Sequence, residues 1–342
     1  PREASELLDE ADWIIDGIAG TGISGPLRDS VTPLVERVNR SAARVAAVDV
    51  PSGLRDDVQP ADLAVHADLT VVTGYLKAIL FESYTRTLAG EIRCVDPGFP
   101  PRLVNDPQVV TTRIAEMPRF PDHPAPLDSD FHKGNKGRVL VVGGSSGTAG
   151  AAVLSAEGAS AAGAGMVKVF TSGQGVAAVL SRDPSIMASE LPVGPDARET
   201  GDARTWADVA VLGPGWTTLT NNHLAEWLHH CASARTVLVL DAAALRVIAQ
   251  RGEAWKQLLA GSLTTVLTPH VGEWRALAAR DGGVGVRETL EQFPDRVGLT
   301  IVVKSAVTWV RHSTGEVDVL DGRAPALAVA GSGDVLSGIV AA

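Results

Sequence analysis

The sequence predicts an α/β protein made of two doubly wound domains. Short apolar runs rich in β-branched residues alternate with glycine-rich turns and helical stretches, a pattern typical of parallel sheets covered on both faces. A segment at 97–126 contains eight of the chain's 20 prolines and separates the two series of runs. A length of 342 residues also suits two domains of ordinary size.

The apolar runs place the elements in order along the chain. In the first series, strands are predicted at 13–16, 44–50, 68–73 and 91–95, with a helix at 30–39. In the second series, strands are predicted at 138–142, 166–170, 208–212, 236–240, 264–267 and 300–303, followed by a hairpin over 307–320. Because proline interrupts helices and sheets, residues 101–127 are predicted to be an interdomain linker without regular structure, between domains at 1–100 and 128–342.

A helix rich in alanine and glycine is predicted at 147–165, between the first two strands of the second domain. Side chains this small allow close approach. The sequence leaves open whether a second backbone element or a flat ligand approaches the helix.

Composition excludes several classes of function. The formal net charge is −10, without a basic stripe, which argues against binding to nucleic acid or to an anionic membrane. The two cysteines, Cys94 and Cys231, lie in apolar runs and are predicted to be core residues in a reducing compartment, with a disulfide between them as the lesser alternative. Neither a signal peptide nor a long apolar span is present, so a cytoplasmic location is expected.

The stretch Gly331-Ser332-Gly333-Asp334 precedes an apolar helical run and could form an anion site. Backbone N–H groups at a helix N-terminus favour an anion, and an aspartate beside them could deprotonate a hydroxyl during phosphoryl transfer. The alternative is an ordinary glycine turn with Asp334 as a helix N-cap. The stretch has no lysine and is therefore not a P-loop.

Further polar groups follow other predicted strands of the second domain. These are the Gly213-Pro214-Gly215 turn, Asp241, His270 with Glu273, and Lys304. Each has an ordinary structural interpretation as a packed loop residue, a helix cap or a solvated strand end. Because ligands in α/β sheets bind beyond the carboxyl ends of the strands, their recurrence at that edge favours one shared site.

These motifs together resemble the ADP/ATP-dependent NAD(P)H-hydrate dehydratases, a branch of the ribokinase-like fold. The matching stretches are "HKGNKGRVLVVGGS", "GAGMVKVFT", "LGPGW", "LDAAAL", "TPHVGEW", "VVKSAVTWV" and "AGSGDVLSGI". The first domain resembles the Rossmann-like NAD(P)H-hydrate epimerases through "IIDGIAGTGISGPL", "AVDVPSGL" and "ADLTVVTGYLKA". The two domains in this order are similar to the bifunctional NAD(P)H-hydrate repair family.

The resemblance implies a role for each matching residue. Asp334 would be the catalytic base and would line the hydrate pocket with Ala151, Gly215 and His270; His270 is not expected to bind zinc, since no second histidine or cysteine lies at zinc spacing. The adenine nucleotide would be held by Lys304, Ser305, Ala306, Val307, Thr308 and Gly333. In the first domain, the hydrate would contact Asp49 and the loop of Gly20, Thr21, Gly22, Ile23, Ser24, Gly25 and Pro26, while Asp16 and Ser52 would bind potassium.

The implied reaction repairs hydrated NADH and NADPH. The first domain would interconvert the R and S hydrates, and the second would phosphorylate the S hydrate with ADP or ATP and eliminate phosphate. Magnesium would accompany the nucleotide, and a homo-oligomer of four or more chains is expected. The family's Asn-Asn-Gly-Gly-Asp-Gly loop would lie upstream of residue 1, so the sequence as given is expected to dehydrate without epimerising.

Two other functions remain open from the sequence. A ribokinase-like kinase of a small alcohol or vitamin precursor would also use Asp334 and its anion loop, but it would not need the first domain. A nucleotide-binding module without turnover could use the first domain as a scaffold for protein interaction.

Overall fold

A computed structural model describes residues 7–55, 58, 61–100, 112–115, 136–191, 206–255, 259, 264–278, 285–294, 298–322 and 324–342. The described strands form two sheets. This arrangement confirms the predicted α/β class with parallel sheets. The motif residues at 131–135 lie outside the described residues.

The first sheet has four parallel strands in the order β1-β2-β3-β4. The strands are β1 (Trp13–Asp16), β2 (Arg44–Val48), β3 (Leu69–Thr73) and β4 (Glu91–Val95), with helix α1 (Thr32–Arg40) between β1 and β2. Alternate residues of β2 are buried, as expected for strands of a covered sheet. The carboxyl ends of β1 and β2 lie side by side, so the residues that follow them meet at one edge.

The second sheet has ten strands in the order β5-β14-β13-β12-β11-β10-β9-β6-β7-β8. They are β5 (Thr112–Ile114), β6 (Arg138–Val142), β7 (Met166–Thr171), β8 (Met187–Glu190), β9 (Val209–Leu212), β10 (Val237–Leu240), β11 (Thr265–Leu267), β12 (Leu299–Val303), β13 (Thr308–Arg311) and β14 (Val317–Leu320). Strands β6 to β12 pair in parallel, whereas β13 pairs antiparallel to β12 and β14. The predicted hairpin is therefore β13–β14.

Seven helices accompany the second sheet in the described part of the chain. They are α2 (Ala149–Ala162), α3 (Gly173–Arg182), α4 (Asn221–Ala234), α5 (Ala243–Ala249), α6 (Val271–Leu277), α7 (Val286–Glu291) and α8 (Ser332–Ala341). Short 3-10 turns occur at Ala78–Phe81, Thr85–Thr87, Gly252–Ala254 and Pro325–Leu327. None of the described helices combines the length and the apolar character needed to cross a membrane.

Two expectations from the sequence are wrong. Strand β5 lies inside the segment predicted to lack regular structure, and it pairs in parallel with β14. The other residues at 101–127 lie largely outside the described part of the chain, so the domain limits stay predictions. Cys231 is buried as expected, but Cys94 is exposed on the edge strand β4, and both thiols are free.

The small residues of helix α2 allow it to pack closely against helix α8. A Cβ atom on Gly158 of α2 would overlap the carbonyl oxygen of Val335, and one on Gly338 of α8 would overlap the carbonyl oxygen of Ser155. The buried hydroxyls of Ser155 and Ser337 also lie 3.0 Å apart across the contact. The element that approaches α2 is thus another helix, and this contact positions the loop that begins α8.

Residues that follow β3 contact the second sheet. Glu82 accepts hydrogen bonds from the backbone N–H groups of Val286 and Arg287, at 3.1 and 3.2 Å, and so caps helix α7. Arg86 forms a two-point ion pair with Asp321, at 2.8 and 2.9 Å. Arg86 is only 6% exposed, so this pair is shielded from solvent. These contacts hold the 78–90 segment against the start of α7 and against the residue that follows β14.

Candidate functional site

The carboxyl ends of β10, β11 and β12 bring three predicted site residues to one edge. Asp241 directly follows β10, while His270 and Lys304 lie beyond β11 and β12 and are joined by an isolated parallel bridge. The backbone N–H of Lys304 donates to the carbonyl oxygen of Pro269 at 2.8 Å. The shared edge predicted from sequence is therefore present, because parallel register aligns the strand ends.

An ion pair between a half-buried lysine and a buried aspartate lies at this edge. The Nζ atom of Lys304 is 2.8 Å from Oδ1 of Asp241, whose side chain is 3% exposed. A Cβ atom built on Gly333 would lie 3.3 Å from the same Nζ atom. The ammonium group therefore lies beside the glycine loop that begins helix α8, at a helix N-terminus, which favours an anion.

Asp334 occupies the first turn of α8 and is half-buried. Gly331, with φ of 89°, is the N-cap of this helix, so the interpretation of Asp334 as the N-cap is wrong. Burial raises the pKa of the Asp334 carboxyl and the negative charge of Asp241 raises it further, while Lys304 lowers it in part. A carboxyl whose pKa is raised is a stronger base, as general base catalysis requires.

His270 caps helix α6 and still presents one ring nitrogen. Its Nδ1 atom accepts hydrogen bonds from the backbone N–H groups of Gly272 and Glu273, at 3.0 and 3.2 Å, and Glu273 accepts from the N–H of His270 at 3.1 Å. Since Nδ1 is an acceptor, the neutral ring carries its proton on Nε2. The side chain is 63% exposed, and its Nε2 atom lies 3.5 Å from the Glu273 carboxylate.

Ala151 and Gly215 are neighbours, as a shared pocket requires. The Thr148 hydroxyl donates to the carbonyl oxygen of Gly215 at 2.6 Å, and the N–H of Gly144 donates to the carbonyl oxygen of Pro214 at 2.8 Å. Gly215 has φ of 61°, and a Cβ atom on it would lie 2.9 Å from that of Ala151. The loops after β6 and β9 are thus joined, and a side chain at 215 would obstruct their contact.

The predicted nucleotide segment joins β12 to β13, and it contacts a residue that the sequence did not indicate. The hydroxyl of Ser83 donates to that of Ser305 at 3.0 Å, and the N–H of Val307 donates to the same Ser305 oxygen at 3.2 Å. The side chain of Val307 is buried, so only its backbone could face a ligand. Ala306 is exposed at the tip of this loop. No local pattern around Ser83 indicates this contact.

In the first domain, Asp16 and Ser52 lie together at the ends of β1 and β2. The Ser52 N–H and hydroxyl donate to the two carboxylate oxygens of Asp16, at 2.8 and 2.6 Å. The Ser52 hydroxyl oxygen also accepts from the N–H of Ala19 at 2.9 Å. Both side chains are buried, at 2% and 1% exposure. The structure therefore brings the two predicted potassium ligands together, bonded to each other.

Asp49 pairs with Lys77, 28 residues further along the chain. Lys77 donates to the Asp49 carboxylate, and the Thr73 hydroxyl donates to it at 2.9 Å. Burial raises the pKa of the Asp49 carboxyl, but hydrogen bonds from Lys77 and Thr73 outweigh burial and leave the pKa below its usual value. Asp49 also has φ of 71°, a left-handed backbone conformation that is costly for a residue other than glycine.

The predicted phosphate loop of the first domain borders a cavity of about 430 Å³. Gly22, Ile23, Ser24 and Pro26 of this loop line the cavity. Arg28 also lines it and supplies a positive charge that suits a phosphate. Arg28 lies two residues beyond the predicted loop, and its charge is the signal that could have found it.

Two family models match separate parts of the chain. The family model for NAD(P)H-hydrate dehydratase matches residues 139–342, and the model for the YjeF-related protein N-terminus matches residues 1–79. A crystal structure of a ribokinase-like superfamily protein from Enterococcus faecalis aligns with a TM-score of 0.54 and 26% identity, covering 68% of this chain and 79% of that one.

Curated relatives extend along nearly the whole chain. The bifunctional NAD(P)H-hydrate repair enzyme Nnr of Escherichia coli is 31% identical over 98% of this chain and 63% of its own length. The enzyme of the same name from Mycobacterium tuberculosis is 34% identical over 97% of this chain and 65% of its own length. The chain thus spans just under two thirds of these relatives. With the dehydratase family model matching well over half of its residues, the chain belongs to the NAD(P)H-hydrate dehydratase family.

Proposed function

We propose that the chain repairs hydrated NADH and NADPH by ADP- or ATP-dependent dehydration of the S hydrate. The proposal rests on the cluster of Asp241, Lys304 and Asp334 beside the N-terminus of α8. It combines a base of raised pKa, a fixed cation and a glycine loop at one sheet edge. Phosphoryl transfer uses a base that positions the nucleophile and cationic groups that stabilise the transferred phosphoryl group.

The residues divide the chemistry between them. Asp334 takes the proton of the ring hydroxyl while the hydroxyl oxygen attacks the terminal phosphorus of the nucleotide. The bond from that phosphorus to the leaving nucleotide breaks. Lys304 and the N–H groups of the Gly331–Gly333 loop hold the transferring group. Inorganic phosphate then leaves as the ring nitrogen supplies its electron pair, and loss of a proton from the adjacent ring carbon restores the double bond.

Binding is divided between two faces of the same site. Ala151, Gly215 and His270 would line the hydrate pocket, with the Nε2–H of His270 as a hydrogen-bond donor. The adenine nucleotide would be held by Lys304, Ser305, Ala306, Val307, Thr308 and Gly333. Within the described residues there is no group of three ligating His, Cys, Asp or Glu side chains. Magnesium would therefore come with the nucleotide phosphates, whose charge it neutralises.

The first domain, when complete, is proposed to epimerise the R and S hydrates. Asp49 would contact the hydrated ring, and the 20–26 loop with Arg28 would hold the phosphates. Asp16 and Ser52 supply oxygen donors, the ligand class that potassium binds, but each is already hydrogen bonded to the other. These two side chains alone fit potassium only in part.

The test of the proposed function is product identity. An R and S mixture of hydrated NADH is supplied with ADP and, separately, with ATP, while the absorbance of reduced nicotinamide is followed. Recovery of that absorbance with release of inorganic phosphate is expected. A stable phosphorylated alcohol would instead show a ribokinase-like kinase, and nucleotide binding without turnover would show a binding module.

The family resemblance also implies an assembly state. The enzyme is expected to act in the cytoplasm as a homo-oligomer of four or more chains. Light scattering coupled to size-exclusion chromatography measures the mass of the assembly. A mass equal to that of one chain would contradict the oligomer.

The acid limb of the pH–rate profile is expected above the pH at which an ordinary aspartate ionises. Asp334 must be ionised to act as a base, so the rate rises with pH through its pKa, which burial and Asp241 raise from 3.8. The measurement is kcat/KM against pH, with circular dichroism over the same range to exclude acid unfolding. A limb at the ordinary value would contradict the assigned base.

The Ser83→Ala variant is expected to weaken ADP binding by about 2–10-fold, because one hydrogen bond to the nucleotide loop contributes about 0.5–1.5 kcal/mol. Ser83 donates to Ser305 across the contact between the two sheets. Calorimetric titration with ADP measures the effect. The control is Ser181→Ala, at an exposed helix residue whose hydroxyl donates to the carbonyl of Ala178. Equal affinity in both variants would show that Ser83 does not order the loop.

A further inference from the structure

Building on the proposed function, we propose that Asp241 is a positioning residue of the dehydratase site. Its carboxylate fixes the Lys304 ammonium beside the Gly331–Gly333 loop, where the transferring phosphoryl group lies. Asp241 acts on the reaction through its two charged neighbours and does not touch the substrate.

The backbone of Asp241 is held rigidly. Its N–H donates to the carbonyl oxygen of Leu212 at 3.1 Å, and a Cβ atom on Gly213 would overlap the Asp241 carbonyl oxygen. The next residue, Ala242, has φ of 47° although it is not glycine. Such conformations cost about 1–3 kcal/mol and persist where the surroundings enforce them. The Asp241 carboxylate is thus presented in one direction.

The ammonium group of Lys304 requires a fixed partner to hold its orientation. Its backbone is fixed by Pro269, but its ammonium group lies at the end of a flexible four-carbon side chain. The bond of 2.8 Å to Asp241 determines which way that side chain points. Because the carboxylate is buried, the pair is poorly screened by solvent and holds its geometry. The ammonium then meets a nucleotide phosphate without first having to be ordered.

Asp241 also influences the base. The charged groups that act on Asp334 are Asp241 after β10 and Lys304 after β12, and the titratable His270 lies after β11, bridged to Lys304. Asp241 raises the pKa of Asp334, and Lys304 lowers it. Removing the charge of Asp241 while Lys304 stays would therefore lower the pKa of Asp334. An acid limb shifted to lower pH is an effect that a purely structural role would not produce.

The Asp241→Asn variant tests both effects. We expect ADP to bind about 10-fold more weakly in calorimetry, and we expect the acid limb of kcat/KM to move to lower pH. Asp208→Asn is the matched control, since Asp208 pairs with Arg138 at the opposite, amino end of the sheet at 3.0 Å. Wild-type ADP affinity and an unmoved acid limb in Asp241→Asn would overturn the proposal.

A double variant provides a second test if Asp241→Asn folds poorly. Asp241→Asn combined with Lys304→Met removes both charges of the pair and leaves neither uncompensated. If Asp241 acts through Lys304, adding Asp241→Asn to Lys304→Met does not weaken ADP binding any further; a further loss in the double variant overturns the proposal. ADP binding is measured without hydrate, so failure of this inference is distinct from failure of the dehydratase assay on the wild-type chain.

Discussion

Asp334→Asn is expected to lower the rate of nucleotide-dependent dehydration by about 10²–10⁴-fold, the usual contribution of a general base. Asparagine keeps the shape of the side chain in the first turn of α8 but cannot accept the hydroxyl proton. The Gly331–Gly333 loop and Lys304 remain in place, so ADP should still bind. The measurement is the rate of recovery of reduced-nicotinamide absorbance at saturating ADP, with ADP affinity determined separately.

The control is the same substitution at Asp183, whose carboxylate hydrogen bonds Ser185 at the end of helix α3. Asp183→Asn should keep nearly full activity. Retention of more than about a tenth of the wild-type rate in Asp334→Asn lies outside the range of a general base and would assign that role to another group.

Gly158→Ala is expected to destabilise the protein by about 1–3 kcal/mol, the usual cost of overpacking a close contact. The new methyl group would overlap the carbonyl oxygen of Val335, so helices α2 and α8 must separate. Since α8 begins with the Gly331–Asp334 loop, the displacement should also lower activity. Denaturant unfolding measures the stability, and the dehydration assay measures the second effect.

Gly150→Ala is the matched control on the same helix. A Cβ atom there meets nothing within 4 Å, and alanine has the better helix propensity, so stability should be unchanged or slightly higher. If both variants unfold at the same denaturant concentration, the α2–α8 contact does not depend on the missing side chain at 158.

The strands predicted from the sequence agree closely with those of both sheets, because short β-branched runs followed by glycine turns mark buried parallel strands. The exceptions are β5 and β8, both at the edges of the second sheet. Strand β8 reads Met-Ala-Ser-Glu and is mostly not buried, so it has no apolar run to reveal it. Strand β5 exists through its pairing with β14, a distant partner that local propensity does not identify.

The sequence predicted the part of the candidate site that lies at the carboxyl ends of the strands. Asp241, His270 and Lys304 could be placed together because parallel strands present their carboxyl ends at one edge of the sheet. Arg28 was missed although its charge lies beside the predicted phosphate loop. Lys77 and Ser83 were missed because their partners, Asp49 and Ser305, are distant in sequence.

The sequence by itself determined the inner strands of both sheets, the edge at which the polar groups gather and the glycine loop before Asp334. These depend on local propensity and on the periodicity of apolar residues, which neighbouring residues fix. The tertiary structure alone decided that Lys304 pairs with Asp241, 63 residues away, and that Ser83 contacts Ser305, 222 residues away. Such contacts depend on the order in which strands pair and on how closely helices pack, and neither is encoded within a local stretch of the chain.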